Sequence, residues 1–231
     1  ITATGNINVI SGGSLTQSAA FDIDGTTAFQ VPSNKDITIN NSSNDFTGAV
    51  SITSGRNITL RDINAIVLGA STISGVFEVR ADSITNSGDL AVTGAATFTV
   101  ANGQSITLNS SGNNFQSAVT FLASSGTIAN ITIVENSAFN FGGLTITGDL
   151  TATVSGGAVT QSGALVVPGT TTVSASGQNV TFNNTSNNFG TIGVTGADVT
   201  IKDTNAIIIA ASTITGDLSV TTSGVITDSG N

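Results

Sequence analysis

The segment Leu15-Thr16-Gln17-Ser18 returns as Ile84-Thr85-Asn86-Ser87, Val159-Thr160-Gln161-Ser162 and Ile226-Thr227-Asp228-Ser229, with its threonines 69, 75 and 67 residues apart. Phe46, Phe115 and Phe189 keep the same beat, at intervals of 69 and 74, and each closes a polar run: NNSSNDF, NSSGNNF and NNTSNNF. A longer stretch, DINAIVLGASTISG at 62–75, recurs as DTNAIIIAASTITG at 203–216, with the diverged copy ENSAFNFGGLTITG between them at 135–148. Self-similarity of this kind constrains a fold more than local propensity does, because every copy must pack against its neighbours in the same way. Three near-copies of a unit of about seventy residues, roughly 16–84, 85–159 and 160–226, fill one domain spanning 1–231.

Each unit divides further. Ten apolar–Thr steps, from Leu15-Thr16 to Ile226-Thr227, follow one another at 19 to 28 residues. Within them apolar and polar residues alternate: Ile37 and Ile39 against Thr38 and Asn40, Ile58 and Leu60 against Thr59 and Arg61. That period of two belongs to strands with one apolar face, and β-branched residues with Gly, Asn and Ser between them favour short strands and turns. A coil of about two dozen residues leaves no room for a helix. The pattern predicts an all-β chain, a parallel β-helix (β-solenoid) of about ten coils, each burying its apolar row against the next.

NNSSNDF is then a turn that leaves the strand at 36–39 and re-enters the core at Phe46, with Asn and Ser bonding local backbone and Asn tolerating the left-handed region. A ligand-binding Asn ladder is the competing account, and the distance between copies disfavours it. Gly25, Gly94 and Gly169 mark another recurring turn. Pro168 falls in that turn and Pro32 follows an inward Val31, so neither interrupts a central strand.

Composition narrows the chemistry. The chain lacks Cys, His, Met, Trp and Tyr and carries only five Lys plus Arg against fourteen Asp plus Glu, a net charge of −9. Thiolate chemistry and disulfides are excluded, and stability is expected to be independent of reductant. Five scattered cations and no stacking aromatics argue against nucleic acid. The longest apolar runs, at 65–70 and 206–211, are too short to span a bilayer as helices, and absent Tyr and Trp girdles argue against a membrane barrel. The chain is therefore expected not to span a membrane.

No catalytic, cofactor or metal site is expected. Asp22 and Asp24 form the one close i,i+2 acid pair, short of the two convergent carboxylates of a glycosidase, and DIDG at 22–25 lacks the calcium-loop spacing. Arg61-Asp62 and Lys202-Asp203 match across two units and are expected to be solvated ion pairs. Thr97-Phe98-Thr99 and Thr151-Ala152-Thr153 do not recur coil after coil, so an ice-binding array is disfavoured. Thr is expected on solvated strand faces.

The stretches ITLNSSGNNF at 106–115, DTNAIIIAASTITG at 203–216 and VTQSGALVV at 159–167 resemble the repeat shafts of bacterial filamentous-haemagglutinin-type exoproteins and related surface β-strand-repeat proteins. The resemblance covers the whole chain. It implies a right-handed parallel β-helix, export to the cell surface or medium, and service as a stalk in adhesion or matrix. The leading expectation is a non-enzymatic extracellular structural rod of a secreted or surface protein, assembling into a layer or filament. A carbohydrate- or receptor-binding module, using a groove beside the segments 65–79 and 206–220, is the alternative, and a polysaccharide-degrading enzyme is third. Partners are expected to be neighbouring repeats of the same chain, host or matrix glycan or protein, and other copies end to end, because neither terminal coil has an obvious polar cap. Both ends fall in mid-unit, so the chain is expected to continue in each direction.

Overall fold

The computed structural model describes residues 1–230, in which short strands and turns alternate without a helix. The strands wind as a parallel β-helix of about eleven turns. One broad wall is an eleven-stranded sheet that runs from Leu15–Thr16 through Ile37–Ile39, Ile58–Arg61, Phe77–Arg80 and Ala96–Val100 to Leu218–Thr222. The facing wall is a fourteen-stranded sheet whose main path runs from Ile7–Ile10 through Thr27–Gln30, Val50–Ser54, Ile66–Leu68 and Ile84–Asn86 to Ile226–Asp228. Neighbouring strands are parallel and keep register over most of their length, as in Phe77↔Ala96↔Val119 and Ile37↔Ile58, with shifts after Phe29 and after Val167.

Alternation gives the walls their inward row. Ile37, Ile39, Ile58 and Leu60 are buried while Thr38, Thr59 and Arg61 are half-buried on the outer side. The inward residues form one hydrophobic cluster that extends from Phe21 to Ile207. Phenylalanines thicken it: Phe98 meets Phe77, Phe115 and Phe121 with ring centroids 5.8, 5.9 and 6.1 Å apart. Burial of each such side chain contributes roughly 1.5–3 kcal/mol before conformational entropy, and no coil achieves it alone. Two threonines depart from the solvated faces expected for that residue: Thr27 and Thr171 are buried in the inward row.

A short third side closes each turn at one edge of the flattened tube. Thr2–Ala3, Asp22–Ile23 and Asp45–Phe46 pair with one another on the edge where the chain passes from the eleven-stranded to the fourteen-stranded wall. Ser71–Ile73, Leu90–Val92 and Asn114–Phe115 pair on the opposite edge. Leu144–Thr145 and the first residues of Leu165–Ser174 and Asn188–Gly196 return to the first.

This switching follows from the unit's length. Leu15–Thr16 and Val159–Gln161, two units apart, lie on the same wall seven strand steps from each other, so one unit is three and a half turns. The intermediate copy, Ile84–Asn86, lies on the facing wall, as does Ile226–Asp228. Steps of 26, 28 and 27 residues between apolar–Thr markers are therefore turns and a half. The segments 65–79 and 206–220 contribute ordinary strands such as Ile66–Leu68, Ser71–Ile73 and Ile207–Ile209, continuous with the stacked walls.

Turns stack backbone on backbone. A Cβ at Gly25 would lie 2.4 Å from the carbonyl carbon of Gly5, and one at Gly48 would lie 2.4 Å from the Gly25 oxygen. Pro168 sits where the register between Leu165–Ser174 and Asn188–Gly196 shifts, between Val167 and Thr170, so no ladder bond is lost to it.

Candidate functional site

The polar runs that open on asparagine each contain one wholly buried amide: Asn44, Asn113 and Asn187 are all 0 % exposed. At the corner between a broad wall and the short side, backbone groups diverge from the ladder and need other partners. Asn44 supplies them. Its Oδ1 accepts the Phe21 N–H at 3.0 Å and the Gln17 Nε2 at 2.7 Å. Its Nδ2 donates to Gln17 Oε1, Ile39 O and Arg61 O at 3.0, 3.3 and 3.1 Å. One side chain thus ties three consecutive turns.

Asn113 repeats this on the opposite edge. Its Oδ1 accepts from Leu90 N–H at 3.0 Å and Asn86 Nδ2 at 2.9 Å, and its Nδ2 donates to Leu108 O and Val134 O at 3.1 and 3.2 Å. Asn187 restores the first pattern, with Leu165 N–H, Gln161, Phe182 O and Lys202 O in the corresponding places.

Beside each amide a short sheet ends. The turn after Asp45–Phe46 passes directly from Ile58–Arg61 to Ile66–Leu68, leaving Phe46 N–H and Asn44 C=O without a strand above them. The Asp62 carboxylate takes the first: Oδ2 accepts Phe46 N–H at 3.1 Å while Oδ1 accepts Asn64 N–H at 2.8 Å. Ile63 N–H satisfies Asn44 O at 2.7 Å. Glu135 serves Phe115 N–H through both oxygens at 3.1 and 3.2 Å and accepts Ser137 N–H at 3.0 Å. Asp203 accepts Phe189 N–H at 2.7 Å and Asn205 N–H at 3.0 Å. A buried carboxylate stands in for the missing strand in every unit.

The next short sheet begins on the other edge with a serine. Ser71 Oγ accepts Ile52 N–H at 3.0 Å and donates to Gly69 O at 2.9 Å, and Ser212 does the same for Val194 and Ala210 at 3.0 and 2.8 Å. DINAIVLGASTISG and DTNAIIIAASTITG therefore hold both ends of the edge switch.

Burial dominates the acids' electrostatics. Desolvation pushes the Asp62 carboxyl up from 3.8 to about 6, against the lowering effect of the backbone N–H groups it accepts. Glu135 is pushed up for the same reason. These are not the solvated ion pairs that Arg61-Asp62 and Lys202-Asp203 suggest in the sequence. Asp62 and Asp203 are 3 % and 6 % exposed and face inward, away from their chain neighbours, and the ion pair found among the described residues is Arg56–Asp36 at 2.8 Å.

The remaining candidates stay apart. Asp22 and Asp24 are exposed, Asp22 lying opposite Asp45 in register. Among the described residues no three or more Asp or Glu side chains form a group that could hold a metal ion, and no helix is long and apolar enough to cross a membrane. The polar run forms a structural turn with Ser43 N–H on Asn41 Oδ1 at 2.9 Å, but it avoids the left-handed region, where only glycines such as Gly103 and Gly177 occur. What sequence reasoning missed is the amide–amide–acid series Gln17, Asn44, Asp62. Its signal was present in the constant 26- or 27-residue spacing from Gln17, Asn86 and Gln161 to Asn44, Asn113 and Asn187.

A family model described as repeats of unknown function (DUF5649) matches residues 1–53, 55–122, 128–195 and 196–231, nearly the whole chain. No curated protein and no solved structure matches it.

Proposed function

The chain belongs to the family of repeats of unknown function (DUF5649), and from that premise and its fold we propose that it is a non-enzymatic structural rod, the stalk of a secreted or surface-attached bacterial protein. The observation that carries the proposal is the thrice-repeated clamp. Buried amides and carboxylates, the groups from which active sites are usually built, are here spent on backbone N–H and C=O groups that join one turn to the next. Such bonding runs along the tube axis and stiffens it, and a single core continues beneath from the first units to the last. Eleven turns at about 4.8 Å give a rod of roughly 50 Å. A disulfide-free acidic chain with polar outer faces fits export and a life in solvent, and stacking of such segments spaces an adhesive tip from a surface.

Small-angle scattering and electron microscopy of the purified chain test the shape, and fractionation of cells making the parent protein tests the placement. A rod cross-section with the parent outside the cell supports the stalk. A parent retained in the cytoplasm, or release of reducing or unsaturated sugar from polysaccharides by the purified chain, would overturn it.

A further inference from the structure

Arg61 and Arg80 stand directly opposite one another on adjacent strands of the eleven-stranded wall. Both point outward, and like charges placed so are destabilising unless something lies between them. Neither guanidinium has a hydrogen-bond or ion-pair partner among the described residues, whereas Arg56 is held bidentately by Asp36 at 2.9 and 2.8 Å. Two of the chain's five cations are thus set side by side, with no carboxylate in ion-pair contact with either, in a protein of net charge −9. They border a shallow cleft of about 260 Å³, and a second of about 130 Å³ opens on their other side. Thr59, Thr97 and Thr99 line the larger cleft in register with the strand that carries Arg80, and their hydroxyls have no hydrogen-bond partner among the described residues.

We propose that Arg61 and Arg80 form an oxyanion-binding site on the outer wall of the rod, taking a sulfate, phosphate or carboxylate group between their two forks. Planar guanidinium donors match such groups in pairs, and threonine hydroxyls beside them complete the hydrogen bonding. Glu78 lies two residues before Arg80 on the same face and Asp82 borders the smaller cleft, so the site excludes a second anion nearby and favours a single charged group on an otherwise neutral carrier. The cleft is smaller than the roughly 300–1,000 Å³ of a pocket for a drug-sized ligand, which suits one such group and not a folded partner. This site lies beyond the stalk proposal and stands whether or not the rod is extracellular.

Isothermal titration calorimetry of the full chain at constant ionic strength, with chloride as the reference anion, tests it. The titrants are inorganic sulfate, inorganic phosphate, an otherwise neutral oligosaccharide carrying a single carboxylate, and the same oligosaccharide without that carboxylate. Saturable binding of an oxyanion is expected, weakened about tenfold or more in Arg61→Gln and Arg80→Gln, partly restored in Arg61→Lys, and unchanged in Lys35→Gln. Tighter binding of the monocarboxylated oligosaccharide than of the free ions identifies a group carried on a sugar chain as the source, and equal binding identifies the free ion. Both outcomes uphold the site. Circular dichroism confirms that the variants keep their strands, since both side chains lie outside the core. No oxyanion binding above the chloride reference, or equal binding by the wild type and both glutamine variants, overturns the proposal.

Discussion

Replacing Asn44 by leucine separates the clamp from the hydrophobic core as a source of stability. Leucine has the same branched arrangement of four side-chain heavy atoms and is the larger of the two, so the change removes hydrogen bonds without opening a cavity, and any overpacking adds to the cost. Three backbone groups lose their partner: Phe21 N–H, bonded at 3.0 Å, and the Ile39 and Arg61 carbonyls, bonded at 3.3 and 3.1 Å. Leaving a buried backbone group unpaired costs about 1–3 kcal/mol, so three cost roughly 3–9 kcal/mol. Apolar burial of the new side chain returns about 1.5–3 kcal/mol. With the middle of each range, about 6 against about 2 kcal/mol, a net loss of roughly 4 kcal/mol is expected. The assay is urea unfolding followed by far-UV circular dichroism, because the chain has no Trp or Tyr to report by fluorescence. Stability in a solenoid is a sum over neighbouring turns, so the slope of the transition must be compared as well as its midpoint. Ser42→Ala, on the exposed side of the same turn, serves as the control and should stay within about 0.5 kcal/mol. If Asn44→Leu changes stability no more than that control, the amide is not a clamp.

Four further outcomes follow from the structure. Asp62 binds its proton more tightly folded, at about 6, than unfolded, near 3.8, so its contribution is fully present below pH 4 and is lost as the pH rises through 6. The loss is at most about 3 kcal/mol and is reduced where solvent reaches the turn; Glu135 acts with the same sign, and Asp62→Asn should flatten the slope of midpoint against pH in that window. Asp36, held near 2 by Arg56, works in the opposite sense but only below about pH 4. Gly48→Ala should cost about 3 kcal/mol in urea unfolding, because its Cβ would press on the Gly25 oxygen, whereas Gly13→Ala, with open space around it, should be neutral or slightly stabilising. Thr171→Val should gain about 1 kcal/mol, since the buried Thr171 hydroxyl has no partner in its inward row. Deletion of residues 16–84, one whole unit, should leave a folded rod shorter by about 17 Å in small-angle scattering.

The winding path was legible because apolar alternation and the seventy-residue beat leave few other ways to bury the inward row. Its half-integral pitch was not. A sequence period measures phase along the chain and carries no record of position around the axis, and Phe29 and Phe98 fill equivalent places on facing walls with 0 % exposure each. The acids were misjudged for a simpler reason. Arg61 and Asp62 are adjacent in sequence, but successive residues of a strand point to opposite sides, so the pair that looks like an ion pair is divided between solvent and core. The diverged unit held the correction, since Glu135 follows the uncharged Val134 and still performs the same task. Thr27 and Thr171 escaped because threonine is equally at home on either face of a strand until its hydroxyl is counted.

The deletion of 16–84 discriminates between two accounts of what makes a unit. If a whole number of turns were the requirement, removing three and a half would place every later strand on the wrong wall. The two walls, however, carry the same strand spacing and the same inward apolar row, so exchanging them leaves burial unchanged. What must match at the junction is the phase of the edge switch. Joining Leu15 to Thr85 keeps Asn86, Asn113 and Glu135 together and removes Gln17, Asn44 and Asp62 together, so no clamp is left half made. Deletion of 37–95 is the converse: it removes three whole turns, from Ile37–Ile39 to the start of Ala96–Val100 on one wall, yet strands Gln17 without Asn44 and Asn113 without Asn86. The half-integral deletion should therefore unfold at higher urea than the integral one. The opposite order would mean that the walls are not interchangeable and that the clamps are incidental to the winding.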